Sequence, residues 1–224
     1  VYPVSSRNPK DFLNLVSVYM DAVLHPRALT NPQIFRQEGW HYELDAEGNL
    51  IYNGVVFNEM KGAYSSPDEI SMATAKATGF PDTPYRYESG GAPSAIPNLT
   101  FEQFCASHKK FYHPTTAMMF LDGEVDLDAT LDLLNDFLKD YTPIEKTEKI
   151  PLQKPVDGGT NTVYYELSEA EDPTGKARLT LGYCFGTPDD GALMPATSII
   201  GDALLGSNDA PLKKAVLESG LAED

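Results

Sequence analysis

Residues 53–67 read Asn53-Gly54-Val55-Val56-Phe57-Asn58-Glu59-Met60-Lys61-Gly62-Ala63-Tyr64-Ser65-Ser66-Pro67. Val56, Met60 and Ala63 recur with the period of one helix face, which predicts a helix from roughly residue 53 to 64. Glu59 lies on the same face, and a carboxylate among apolar neighbours is costly unless it is paired or bound to a metal. The pattern alone leaves two interpretations of Glu59 open: a structural salt bridge, or a metal-binding or catalytic group.

Further helices and a few strands are predicted on both sides of this segment. Apolar spacing and capping residues predict helices at about 9–24, 66–79, 100–113, 126–141, 191–205 and 211–219. Two of them begin with predicted capping boxes, at Ser66 and Thr100. Apolar alternation or apolar runs predict a hairpin at 40–52 and strands at 116–121, 162–167 and 179–185. Residues 80–99, rich in proline, predict a long surface loop, and the whole pattern indicates an α+β fold.

A change in composition divides the chain beyond its middle. Residues 142–161 combine prolines with a Gly-Gly pair and small charged groups, which is typical of a linker between domains. We therefore predict one domain at 1–141 and the beginning of a second at 162–224. The second region is short for an independent core, and the chain begins with Val1 rather than Met, so we expect a longer parent protein.

The net charge argues against nucleic acids and membranes as partners. The chain has 33 Asp and Glu against 17 Lys and Arg, which gives a formal net charge of −16. Such a field repels a phosphate backbone and an anionic membrane surface. No apolar run approaches the ~18–20 residues that span a bilayer, and no signal-peptide pattern is present at the start.

The two cysteines indicate a reducing compartment. Cys105 and Cys184 are too few for a disulfide framework in a chain of 224 residues, and they lack CxxC spacing. We therefore expect a cytoplasmic protein, with an organelle matrix as the alternative.

Common catalytic and metal-binding motifs are absent from the 224 residues. The sequence contains no phosphate loop, no GxSxG, and neither HExxH nor HxxEH. Asp128, Asp132, Asp136 and Asp140 form an acidic stripe, interpreted as a solvated helix face rather than a cation site because they lie opposite leucines. His108 lies on an apolar helix face and is interpreted as a satisfied core or interface histidine.

The segment at 53–67 closely resembles a signature of the presequence-protease branch of the pitrilysin/insulinase metallopeptidases. Three more segments resemble this family in the same order: Asn14-Leu15-Val16 with Tyr19-Met20-Asp21-Ala22-Val23-Leu24-His25-Pro26-Arg27, Phe35-Arg36-Gln37-Glu38-Gly39-Trp40-His41, and His108-Lys109-Lys110-Phe111-Tyr112-His113-Pro114. Leu217-Glu218-Ser219-Gly220-Leu221, with the strands before it, looks like the start of the family's second repeat. The resemblance implies the later part of one pitrilysin-type α+β domain, a linker and the start of a related repeat.

The resemblance also implies an activity and its partners. Members of the family are zinc endopeptidases that degrade short unstructured peptides inside a chamber made of two enzyme halves, each with two related α+β domains. The implied partners are a peptide substrate and the remaining parts of the parent protein. Family members hold zinc with two histidines of an inverted HxxEH motif and one distant glutamate. Glu59 matches that glutamate, so the resemblance assigns it as a zinc ligand.

The chain departs from the family pattern in what it lacks. The HxxEH helix, expected upstream of Val1, and the Arg and Tyr that bind substrate in the family's C-terminal half are absent. No catalytic residue is therefore assigned, and we expect this chain alone to be inactive and to bind Zn²⁺ weakly. A non-catalytic scaffold or dimerisation member of the same fold is the alternative function. A plain α+β binding module, with Glu59 in a salt bridge, is a third.

Overall fold

The computed structural model describes residues 1–145 and 149–221, which contain helices and one small sheet. The α-helices are α1 (Pro9–Leu24), α2 (Pro32–Glu38), α3 (Val55–Ala63), α4 (Pro67–Gly79), α5 (Phe101–Phe111), α6 (Leu127–Leu138), α7 (Leu193–Leu205) and α8 (Pro211–Glu218). Single turns of 3₁₀ helix lie at Arg27–Leu29, Pro84–Arg86, Ile96–Asn98 and Pro114–Thr116. The fold is α+β, as the sequence predicts.

The sheet is the predicted hairpin. Its antiparallel strands are β1 (His41–Leu44) and β2 (Leu50–Asn53), with Tyr42 paired to Tyr52. In the turn, the Asp45 carboxylate accepts hydrogen bonds from the backbone amides two and four residues on, at 3.0 and 2.7 Å. This turn chemistry fixes the register of the strands, and β2 leads directly into α3.

The described chain forms two compact units, one ending at Thr180 and the other beginning at Leu181. The first contains α1 to α6 and the hairpin, and the second contains α7 and α8. The buried apolar side chains of the described residues are Val16, Phe57, Ile96, Leu134 and Ala210. The described part of 142–161 contains no helix or strand, and the domain boundaries there stay a prediction. No helix of residues 1–145 and 149–221 is long and apolar enough to cross a bilayer.

Three predicted strands are wrong for the described residues. Segments 116–121, 162–167 and 179–185 belong to no sheet in the part of the chain that the structure describes. A strand needs a neighbour to satisfy its backbone amides and carbonyls, and these segments have no such neighbour there. Their apolar side chains are left in solvent: Met118 is 95% exposed and Phe120 is 87% exposed.

Many long hydrophobic side chains of the described residues lie in solvent. On the hairpin, Leu44 is 64% exposed and Leu50 is 65% exposed, and in the unpaired segments Tyr164 is 91% exposed and Leu179 is 83% exposed. The chain therefore presents apolar surface that its own described residues do not cover.

Helix capping gives a first testable prediction. The Thr100 hydroxyl accepts a hydrogen bond from the backbone amide of Gln103 at 3.2 Å. The side-chain oxygen of Gln103 accepts one from the backbone amide of Thr100 at 2.9 Å. Because both bonds of the box are present, Thr100→Ala should destabilise α5 by about 1 kcal/mol. Hydrogen exchange of the α5 amides in the full-length protein measures this.

Ser66 provides the matched control for that substitution. The capping box predicted at Ser66 is wrong, because its side chain makes no capping hydrogen bond although it precedes α4. Ser66→Ala should therefore change the stability of α4 by no more than about 0.5 kcal/mol. Equal effects at Thr100 and Ser66 would contradict this reading of the caps.

Candidate functional site

The start of α3 is held against the end of α2 by a close backbone approach. Gly54 caps the helix with φ of 144°, a conformation that L side chains rarely adopt. A Cβ at this position would overlap the Gly39 carbonyl oxygen and lie 2.7 Å from the Trp40 Cα. The Phe57 amide also donates to the Gly39 carbonyl oxygen at 3.3 Å. Glycine at position 54 thus allows α3 to start where it does.

The Asn53 side chain joins the hairpin to the first turn of α3. Its Oδ1 accepts hydrogen bonds from the Gly54 amide at 2.8 Å and from Asn58 Nδ2 at 2.6 Å. Its Nδ2 donates to the Glu43 carboxylate on β1. One side chain therefore fixes both strands and the helix relative to one another.

An aromatic cluster packs beneath the same helix. Phe57 is only 8% exposed, and its ring lies 5.8 Å from the Tyr52 ring in an edge-to-face arrangement. Trp40 stacks edge-on against Tyr52 at 5.9 Å and donates its indole N–H to the Leu99 carbonyl oxygen at 2.9 Å. These contacts give α3 a rigid base, as a ligand-bearing helix requires.

Glu59 lies on α3 as predicted, but it is exposed. The stripe that carries it is only partly covered, since Val56 is 38% exposed and α3 packs through Phe57 instead. The expectation of a carboxylate surrounded by apolar groups is therefore wrong for the described residues. Among those residues no hydrogen bond or ion pair involves the Glu59 carboxylate, which is accessible to a ligand.

The histidines of the chain have partners of their own. His108 Nε2 lies 2.9 Å from the Val23 carbonyl oxygen, and its ring stacks on Tyr112 at 4.6 Å. The interpretation of His108 as a satisfied histidine is confirmed. The remaining three contact the Asp21 carboxylate (His25), the Arg36 carbonyl oxygen (His41) and the Thr115 amide (His113).

The aspartate stripe that runs along α6 to Asp140, just beyond its end, is solvated, as predicted. Asp128, Asp132, Asp136 and Asp140 are all exposed. Asp136 forms an ion pair with Lys139 at 3.1 Å, and both side chains are mostly in solvent. Such a surface pair contributes little to stability.

The described residues fit one ligand of a zinc site and not a complete site. Structural and catalytic zinc sites take three or four protein donors. Among residues 1–145 and 149–221, no three His, Cys, Asp or Glu side chains come close enough to share a metal. The Glu59 carboxylate can supply one donor from a rigid helix, and any further donors would have to come from outside the described residues.

The contact between the loop at 80–99 and α3 was not predicted from the sequence. The turn at 88–91, inside the predicted surface loop, lies against Met60, the residue that follows Glu59. The Gly90-Gly91 pair was the available signal, because paired glycines mark a close backbone approach as well as a flexible loop.

Comparison with known proteins agrees with the motifs. Residues 98–224 match the model of the peptidase M16 inactive domain. Protein HypA of Clostridium perfringens is 43% identical over 226 residues, which cover 100% of this chain and 23% of HypA. Presequence protease 1, chloroplastic/mitochondrial, of Arabidopsis thaliana is 40% identical over 99% of this chain and 21% of its own length.

An animal relative extends the same similarity. The mitochondrial presequence protease of Mus musculus is 34% identical over 100% of this chain and 22% of its own length. The chain thus spans between a fifth and a quarter of the length of these relatives. The resemblance to presequence proteases is confirmed, and the chain belongs to the peptidase M16 family.

Proposed function

We propose that this chain is part of a zinc metalloendopeptidase that degrades short unstructured peptides, with Glu59 as one metal ligand. The proposal rests on one observation: a peptidase-family chain presents an accessible carboxylate, unpaired among the described residues, from a helix fixed at its start. Zinc, when bound, supplies a Lewis acid that polarises the peptide carbonyl. The role of Glu59 is to hold the metal, and this chain contributes no catalytic residue of its own.

The remaining parts of the parent protein are the expected neighbours of this chain. The relatives are more than four times as long, and long hydrophobic side chains of the described residues lie in solvent. We propose that the parent covers this apolar surface and provides the other zinc ligands. We also propose a reducing compartment, the cytoplasm or an organelle matrix, because Cys105 and Cys184 are both free thiols.

A non-catalytic role within the same family is the second candidate. The family model that matches 98–224 describes an inactive domain, and this range is more than half of the chain. A scaffold or dimerisation subunit would need no zinc. The two candidates therefore differ in whether the full-length protein binds metal and cleaves peptides.

Cleavage with and without a chelator separates these candidates. The full-length protein is incubated with an unstructured peptide, with and without a zinc chelator, and then with Zn²⁺ added back. The peptidase proposal expects cleavage that the chelator abolishes and Zn²⁺ restores. If the full-length protein contains no metal and does not cleave the peptide, the scaffold role is supported instead.

The chain of 224 residues should itself bind Zn²⁺ weakly. A single carboxylate provides little affinity compared with the three or four donors of a protein zinc site. Calorimetric titration of the chain with Zn²⁺ should show no saturable binding at micromolar concentrations, with the Glu59→Gln chain as control. Tight stoichiometric uptake that Glu59→Gln abolishes would refute this expectation.

A further inference from the structure

The turn at 88–91 is anchored to α4 by an ion pair. Lys76 Nζ lies 2.5 Å from Glu88 Oε2, and the Glu88 side chain is 19% exposed. The other carboxylate oxygen accepts from the Ser89 amide at 3.0 Å, and the Gly91 amide donates to the Glu88 carbonyl oxygen at 3.1 Å. The hydrogen bond from Lys76 lowers the pKa of Glu88, so the pair is charged near neutral pH. The contacts of Glu88 thus fix the first residue of the turn.

The other end of the turn lies between a core residue and α3. A Cβ on Gly91 would lie 3.2 Å from Ile96 Cγ1, and Ile96 is one of the buried apolar residues. A Cβ on Gly90 would overlap Met60 Sδ and lie 3.0 Å from its Cε. The turn therefore touches α3 at the residue next to Glu59.

We propose that Glu88, held by Lys76, is a positioning residue for Glu59. The contacts at Gly54 and Asn53 fix the start of α3, and the turn at 88–91 supports it from the middle onward through Met60. A metal ligand must be held within about 0.5 Å of its productive position, which one clamped end of a short helix does not ensure. This inference rests on the proposed function of Glu59.

A purely structural ion pair is the competing explanation. Exposed pairs contribute roughly 0.2–1 kcal/mol, and their loss should affect stability without a specific effect on metal binding. The Asp136–Lys139 pair is a control of the same charge type that is distant in sequence from both Glu59 and the turn. The Asp136 side chain is 70% exposed against 19% for Glu88, so thermal unfolding of each variant is measured beside zinc binding to separate positioning from general stabilisation.

The experiment uses the full-length protein and measures the dissociation constant of Zn²⁺ by chelator competition, with kcat and KM on an unstructured peptide. Glu88→Ala and Lys76→Ala should each raise the dissociation constant about tenfold, the order seen for residues that orient metal ligands. The effect on activity should fall on kcat more than on KM. The charge-swapped protein, Lys76→Glu with Glu88→Lys, should recover most of the affinity, and Asp136→Asn should change nothing.

The contact with Met60 is tested independently of the ion pair. Gly90→Ala should weaken zinc binding because the new methyl group displaces Met60. Met60→Ala should weaken zinc binding as well, because it removes the contact through which the turn supports α3. Gly90→Ala and Met60→Ala therefore test the positioning role of the turn if Glu88→Ala does not fold.

Two results overturn the inference in different ways. If Glu59→Gln weakens zinc binding while Glu88→Ala, Lys76→Ala and Gly90→Ala leave it unchanged, the positioning role is wrong and the proposed function stands. If Glu59→Gln leaves zinc binding unchanged, the proposed function fails and the positioning role fails with it.

Discussion

Glu59→Gln in the full-length protein is expected to lower zinc affinity and kcat/KM by about a hundredfold or more, beyond the usual cost of removing a residue that only orients a ligand. The substitution replaces an anionic oxygen donor by a neutral amide of the same shape. The stability of the metal-free protein should change by less than about 0.5 kcal/mol, because the side chain is exposed and has no partner among the described residues. Metal analysis and peptide cleavage of the zinc-loaded protein, and thermal unfolding of the metal-free protein, measure the three quantities.

Glu47→Gln is the matched control for this experiment. Glu47 is an exposed glutamate in the turn between β1 and β2, so its substitution makes the same chemical change away from α3. It should leave zinc content and activity as in the natural protein. Full zinc occupancy and undiminished cleavage in Glu59→Gln would show that Glu59 is not a zinc ligand, whatever the control shows.

Helices were predictable because their signals are local. The Asn8 side chain accepts from the amides of Lys10 and Asp11, and α1 runs over Pro9–Leu24 as the cap and periodicity predict. The box at Thr100 likewise forms in full. Each signal lies within four residues of the structure that it specifies, so it does not depend on the rest of the protein.

Strands were less predictable because their partners are distant. The hairpin of β1 and β2 carries its partner within the same segment, and it forms. Leu179, Leu181, Tyr183 and Phe185 alternate as a strand should, yet they are between 60% and 83% exposed. An alternating pattern shows which face of a strand must be buried, but it does not show which segment pairs with the strand or packs on that face.

In the candidate site, too, local structure was predictable from the sequence and contacts between distant residues were not. The helix that carries Glu59 was predicted from periodicity, and its capping glycine lies in the quoted segment. The burial of Glu59 was predicted wrongly, because periodicity describes a face and not what covers it. The ion pair of Lys76 and Glu88 joins residues twelve positions apart, across a loop without regular spacing, so no pattern indicated it.

Gly54→Ala is expected to destabilise the hairpin and α3 by about 3 kcal/mol or more. Strained backbone at such a φ value costs about 1–3 kcal/mol for a residue with a Cβ, before any clash is counted. Here the Cβ would also overlap backbone atoms of Gly39 and Trp40, which cannot rotate away as a side chain can. Hydrogen exchange over residues 39–63 of the full-length protein should show faster opening, and zinc binding should weaken because Glu59 is carried by the displaced helix.

Two other glycines separate the causes of that effect. Gly48 has φ of 84° with nothing within 4 Å of a Cβ, so Gly48→Ala tests backbone strain alone and should cost about 1 kcal/mol. Gly62 lies inside α3 in open space, so Gly62→Ala should stabilise the helix by up to about 1 kcal/mol. If Gly54→Ala costs no more than Gly48→Ala, the contact with Gly39 and Trp40 does not hold α3 in place. A much larger cost at Gly54 means that the hairpin and the end of α2 together set the position from which Glu59 is presented.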